Sequence, residues 1–515
     1  MAFSILIKNG TILDGSGAEP YAADLGISAG RIEKIGNLAG ETAERIIDAT
    51  NLYVTPGFID ITNHSDVYGT LFSVPSQESL LRQGVTTILV GNCGESLAPV
   101  VRRESLTELE RWTTGFSVPI NWNSVAEYYE NIENLGVGPN VATLVGQETL
   151  KRNAKTLEEK IFLLESALRE GAWGLSSNFS FAERGSAADD EILALLKIIK
   201  KYNGLYKIHL KDEGKNFLPS ISAAVSLARA SGARTVVSHL KAIGRDAWGD
   251  FGDALKIFKK AQSEGVDINF DVSPYLRTGS ALISFLPSWA RIGTNEEILK
   301  RISDKEISQK IINELKSATL HAERILIASA FKDKSLVGKT LEEISKHTGA
   351  PAEESILEIL KINGLNVSVF GKTLNGRNLL LALTSPGGIV SGDGSGYDTD
   401  FRRFGDLVHP RSFGAFPRFF SAISAKAKIS LAEAVAKMTS LPAKALGLKN
   451  RGTLKPKNIA DIAIFNPAEF KDQATYGNPY RYASGLRFLV ISGNLAVSEG
   501  ELAAERHGLV LRKKN

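Results

Sequence analysis

Sulfur is almost missing from this chain: one cysteine and two methionines in 515 residues. A single cysteine cannot close an internal disulfide, so a fold stapled by cross-links is excluded, and the usage suits a reducing compartment, the cytoplasm. No run of about 18 apolar residues occurs, so no membrane-spanning helix is expected. The opening stretch MAFSILIKNGTILDG lacks a basic segment followed by a long apolar core and does not read as a secretion signal. Charge of one sign is also lacking. The 61 basic and 57 acidic residues leave a net charge of +4 with no long basic block, which argues against nucleic acid as a partner.

What is present is an ordinary globular balance, 43% hydrophobic and 23% charged. The length suits one large domain with an accessory domain, or two to three domains. Short strand-like runs separated by turns mark both ends: Phe3–Ile7 and Ile32–Ile35 near the start, Asp461–Phe465 and Leu486–Asn494 near the finish. Neither end can bury a sheet face alone, so residues 1–55 and 447–515 are expected to form one composite β-domain. Between them, apolar runs alternate with helical patterns. Thr86–Asn92, Val141–Val145, Trp173–Leu175, Leu205–His209, Thr235–His239 and Asp267–Asp271 read as strands. Helices are expected from a capping-box pattern at Thr156–Glu159 and near 189–202, 220–231 and 251–264. Repeated strand–helix units imply parallel pairing. The expected fold class is α/β, a (β/α)8 TIM-type barrel over residues 56–446, with a small β-domain built from both termini and an inserted small domain at 285–350, where the rhythm breaks.

Polar residues end several of these runs. Cys93 follows ILVGN, His209 closes LYKIH, His239 closes TVVSH, and Asp393 sits in Ile389–Gly394 after another apolar run. Taken singly, each has an ordinary explanation: a hydrogen-bonded strand-end imidazole, a small buried thiol, an aspartate in a glycine-rich turn. Taken together they are more pointed, because a barrel delivers every strand's C-terminal end to the same face. A thiolate with two imidazoles is a good zinc set that leaves a fourth position open, the arrangement of a catalytic rather than a structural ion. A nearby carboxylate could take a proton from water and pass it to a leaving amine. His321, His347 and His507 lie in charged, helical or terminal contexts and read as surface residues. Gly338-Lys-Thr340 and Gly371-Lys-Thr373 mimic the end of a phosphate loop, but Asp333 and Asn366 stand where its first glycine is required.

The chain resembles the amidohydrolase superfamily and, within it, the N-acyl-D-amino-acid deacylases (D-aminoacylases). The resemblance runs through nearly the whole length. It is carried most specifically by GNCGES (91–96), YKIHLKDEG (206–214) and HPRSFGAFPRF (409–419), and more loosely by VTPGFID (54–60) and the ADIAIF segment near the end. It implies a tightly held zinc on Cys93, His209 and His239, a catalytic acid/base at Asp393, and Lys241 and Arg411 as holders of a substrate carboxylate. Tyr275, Ser280 and His64 are expected to line the substrate pocket. Fixed cations suit a free carboxylate beside a scissile amide, and an arginine can grip it with two parallel hydrogen bonds.

Two departures stand out. The family's His-x-His at the end of the first strand appears here as Thr62-Asn63-His64. Family members hold a second, weaker metal through that pair, so a second site is expected to be weak or absent. The family's Tyr-Pro-Tyr after the aspartate of strand six appears as Ser273-Pro-Tyr275, followed by Arg277, which could supply a replacement contact and favour a more acidic substrate. The implied activity is zinc-dependent removal of the acyl group from N-acyl-D-amino acids, with a small-molecule substrate as partner. Another N-acyl compound, a cyclic amide or a small peptide is the alternative substrate. A non-catalytic structural relative is the alternative of another class. Stereochemistry, side-chain preference and oligomeric state are not legible.

Overall fold

The computed structural model describes residues 2–102, 118–178, 186–317 and 320–514. Eight parallel strands form the central ring: β1 (Phe58–Asp60), β2 (Val85–Val90), β3 (Asn140–Thr143, continued by Val145–Gly146), β4 (Gly174–Asn178), β5 (Leu205–His209), β6 (Arg234–Val237), β7 (Ile268–Val272) and β8 (Gly388–Val390). Three strands pair in the order β1–β2–β3. The continuation of β3 pairs with β4 through Val145 and Leu175, and the ladder then runs β4–β5–β6–β7–β8. Closure comes where β8 returns to β1: Asp393 N donates to Thr62 O at 2.9 Å and His64 N to Gly394 O at 2.8 Å. The strand bearing Asp271 is therefore the seventh of the ring, not the sixth, because β3 and its continuation count once and the run Phe58–Asp60 is itself a barrel strand.

Helices cover the outside of the ring, so its strands have little exposed surface, and Val85–Val90 is fully buried. Leu157–Arg169 starts where Thr156 accepts from Glu159 N and turns Leu164 and Leu168 inward. Inside the barrel, Ile59, Ile61, Leu89, Ala142, Leu144, Leu205, Val236 and Ile389 share one apolar cluster. These side chains plug the lower half, so chemistry is confined to the rim.

Both chain ends build one nine-stranded sheet. Its seam joins Tyr53–Pro56 antiparallel to Ile462–Phe465. The last residues leave this sheet and return to the barrel, where Val510 bridges to Val141 and Leu511 N donates to Val141 O at 2.8 Å. Between β7 and β8 a further unit is inserted. Its sheet pairs Thr278–Ala281 and Ile325–Ala330 against Val367–Gly371, strands that lie on both sides of 285–350 as well as within it. It has its own core, including Leu282, Ile298, Ile327, Leu341, Leu360 and Val369. Its first strand, TGSA, has too little apolar alternation to be read as a strand in sequence.

Candidate metal centre

The first element of the site is a turn. After β2 the chain runs Gly91-Asn-Cys-Gly94, with φ of 74° at Gly91, 53° at Cys93 and 82° at Gly94. A side chain at Gly91 would place its Cβ 2.2 Å from Leu144 O, so that position is restricted to glycine. Asn92 braces the turn by donating to Leu89 O at 2.7 Å and Asn63 O at 3.1 Å. The result aims Cys93 across the barrel mouth.

His239 and Asp393 share this unusual backbone, with φ of 38° and 53°. Non-glycine residues in this region cost on the order of 1–3 kcal/mol each and persist only where neighbours hold them. For His239 the holder is Asp271, whose Oδ1 accepts from His239 N at 2.9 Å and from Ser391 Oγ at 2.6 Å. For Asp393 it is the closing bond to Thr62 O. Three chemically equipped residues on three different strand ends are thus all held in a conformation that ordinary packing avoids.

The side chains converge. The ligating atoms of Cys93, His209 and His239 all lie within 4.8 Å of one another. Cys93 Sγ is 3.3 Å from His239 Nε2, and the two imidazole rings meet edge to face with centroids 4.6 Å apart. Burial would raise the Cys93 thiol, but His239, His209 and His64 outweigh it and hold the thiol well below its ordinary range. Burial and Lys241 push His239 down, yet Cys93 and Asp393 prevail and raise it to about 10. Such a thiolate–imidazolium cluster is a site in which protons stand where a divalent cation could. The donor set fits zinc: a sulfur and two nitrogens, with His209 Nδ1 buried and without a hydrogen-bond partner.

A second group stands beside it. Asp393 Oδ1 is 3.2 Å from His64 Nε2, and Oδ2 accepts from Arg411 Nη1 at 2.5 Å. Burial disfavours the Asp393 carboxylate, but Arg411, His239 and His64 together hold its pKa well below the usual carboxylate range. His64 is raised to about 9 because Asp393 and Cys93 outweigh its burial. Arg411 N donates to His409 Nδ1 at 3.1 Å, so the other ring nitrogen carries the proton and donates to Arg277 O at 3.0 Å. His409 is therefore a positioning residue for Arg411.

Lys241 occupies a different environment from a free carboxylate holder. Its Nζ lies 2.7 Å from His239 Nδ1 and 2.6 Å from Glu213 Oε1, and that carboxylate is 3.4 Å from the same ring nitrogen. Tyr275 is buried, donates to Pro410 O at 3.3 Å and packs edge-on to His409. Ser280 stands apart from these pairs, in the insert's sheet opposite Val369. His347 is exposed, and His321 is half-exposed and pairs with Glu323 at 3.4 Å. Glu213, Asp271 and His409 are the residues that reading by strand ends passed over. Glu213 was within reach, four residues after His209 in the HLKDEG segment.

Known proteins resemble this chain in sequence and fold. The amidohydrolase family model matches residues 411–486. The D-aminoacylase of Alcaligenes xylosoxydans xylosoxydans is 26% identical over 532 residues, covering 99% of this chain and 98% of that protein. The N-acyl-D-glutamate deacylase of Bordetella bronchiseptica, solved with zinc and a phosphonate that mimics the tetrahedral reaction intermediate, superimposes with a TM-score of 0.84 at 25% identity, covering 99% of this chain and all of that one. A D-aminoacylase structure examined for its binuclear metal centre, in which one metal activates and the second attenuates, gives a TM-score of 0.82 at 25% identity over 99% of this chain and all of that one. No helix among the described residues is long and apolar enough to cross a membrane. With a full-length match in sequence and fold, this chain is a homologue of the D-aminoacylases that carries an amidohydrolase family match over residues 411–486, and it is a hydrolase of amide C–N bonds.

Proposed function

We propose that this protein removes the acyl group from N-acyl-D-amino acids with one zinc ion held by Cys93, His209 and His239. The observation that carries the reading is the meeting of those three ligating atoms within 4.8 Å beside the Asp393 carboxylate. When bound, zinc would supply Lewis acidity, polarising the acyl carbonyl and lowering the pKa of water. Everything else falls to the chain. Asp393 takes a proton as water adds to the acyl carbon. It returns that proton to the amine nitrogen as the C–N bond breaks, which leaves a carboxylate and an amino acid.

The pairing of Arg411 with Asp393 gives this scheme an ordering. A carboxylate held so far below its usual pKa is a poor base. A substrate carboxylate drawn to the Arg411 guanidinium competes with Asp393 for it. As Arg411 turns to the substrate, Asp393 loses its strongest stabilising charge and becomes more basic. Substrate binding and base activation are then one event. Lys241 beside His239, Tyr275 against His409 and His64 beside Asp393 are the further substrate contacts of this proposal.

A preference for acidic side chains is a second element of the proposal. The Arg277 guanidinium lies 4.8 Å over the Tyr476 ring with no carboxylate partner among the described residues, and its carbonyl is tied to His409, which holds Arg411. That leaves a cation available near the substrate cations. Turnover measured on matched N-acetyl-D- and N-acetyl-L-amino acids, together with cyclic amides, tests the reading. Faster hydrolysis of D substrates, led by D-glutamate or D-aspartate derivatives, is expected. Hydrolysis of cyclic amides alone overturns it.

A further inference from the structure

One charged side chain beneath the centre has no part in this scheme. Lys207 stands two residues before His209 on β5, so both side chains point into the barrel, and Lys207 is fully buried. Its Nζ donates to Asp271 Oδ2 at 2.9 Å, to Ile61 O at 2.6 Å and to Thr62 Oγ1. An ammonium has three donors, and each has an acceptor here. Both members of the Lys207–Asp271 pair are completely shielded from water.

Thr62 is the key contact. It occupies the slot two residues before His64 at the end of β1, and its carbonyl accepts from Asp393 N at 2.9 Å. In a binuclear centre, such as that of the D-aminoacylase already compared, a second divalent ion must be paired with ligands. Here the side chain at position 62 is short, carries a hydroxyl rather than an imidazole, and is committed to an ammonium. A buried positive charge fixed on this residue repels a divalent cation and consumes the ligand it would need.

We propose that the Lys207 ammonium is a built-in replacement for a second metal ion, which makes the centre mononuclear by construction. The inference rests on the zinc reading above and adds the residue that enforces it. Lys207 and Thr62 act as a unit: the shorter residue vacates the space, and the lysine head fills it and neutralises Asp271. Asp271 in turn holds His239 N, so the substituted cation also braces the remaining metal site.

Metal content of the full chain, measured by elemental analysis after saturation with zinc and gel filtration, tests this. Wild type is expected to hold one zinc per chain. Thr62→His is also expected to hold one, because Lys207 still stands in the way. Thr62→His with Lys207→Ala and Asp271→Asn, which removes both charges of the buried pair rather than stranding one, is expected to hold two. Two zinc ions in Thr62→His, or one in a folded triple variant, overturns the proposal. Where the triple variant does not fold by circular dichroism, the Thr62→His count decides alone: one supports the proposal and two overturns it. Two zinc ions in wild type sinks only the role given to Lys207. None in wild type sinks the zinc reading together with it.

Discussion

Arg411 Nη1 lies 2.5 Å from Asp393 Oδ2, so the guanidinium proposed to receive the substrate is engaged with the carboxylate proposed to move the proton. Both side chains are nearly buried, at 13% and 10% exposure, so the pair is little screened by water. A substrate must break this contact, and the consequences can be measured.

Replacing Asp393 with asparagine keeps the shape and removes the proton acceptor. We expect kcat to fall by about 10²–10⁴, the range for loss of a general acid–base, with zinc content unchanged. Full turnover in this variant on its best substrate contradicts the role.

Arg411→Lys retains the charge and loses the planar fork. We expect KM to rise by about tenfold or more, because a carboxylate no longer finds two parallel donors. The guanidinium charge is also a main cause of the low Asp393 pKa, so a neutral replacement, Arg411→Gln, moves the acidic limb of the kcat/KM profile to higher pH, not lower. An unchanged profile with an unchanged KM argues against contact between Arg411 and either carboxylate.

Metal uptake must displace protons. In the metal-free protein His239 is raised to about 10, so near neutral pH its imidazole is protonated and must lose that proton to bind an ion. Zinc affinity is expected to increase with pH between about 6 and 9, with protons released on titration in weak buffer. Affinity that does not change with pH counts against His239 as a ligand. Cys93→Ser is expected to weaken binding by at least about tenfold on competition with a chelator, since a hydroxyl is a poor substitute for a thiolate.

Glu213 is held at about 2: burial raises it, but Lys241, His209 and His239 lower it further. An unfolded chain protonates this carboxyl near its ordinary value, whereas the folded one resists. The contribution to stability is therefore complete above about 4.5 and is lost as pH falls toward 2. Glu213→Gln in the metal-free protein is expected to flatten the loss of Tm over that interval. An identical acid dependence in both proteins removes the ion pair from consideration.

Some of this was visible in the residues alone. Cys93, His209, His239 and Asp393 could be picked out because each closes an apolar run, and parallel strands leave only one face for their ends. Lys241 and Arg411 were identified only through resemblance, and their partners were not. Nothing in the spacing of Glu213 and Lys241, 28 residues apart, signals that they share a hydrogen bond. Lys207 was invisible for a different reason. A lysine inside LYKIH breaks an apolar run, and only the ring closure that brings Thr62 and Asp271 beside it explains why it can be buried.

The order of amino acids sets the alternation of strands and helices and the chemical character of the rim, because hydrophobic periodicity and strand ends are local properties. It also determined that position 62 offers a hydroxyl and not an imidazole. Tertiary structure alone decided which charges meet. Asp393 finds Arg411 across a helix start, His239 is held by an aspartate from the next strand, and a lysine from the fifth strand reaches a threonine from the first. Those pairings depend on the barrel closing on itself, and closure is a property of the whole ring that no single segment carries.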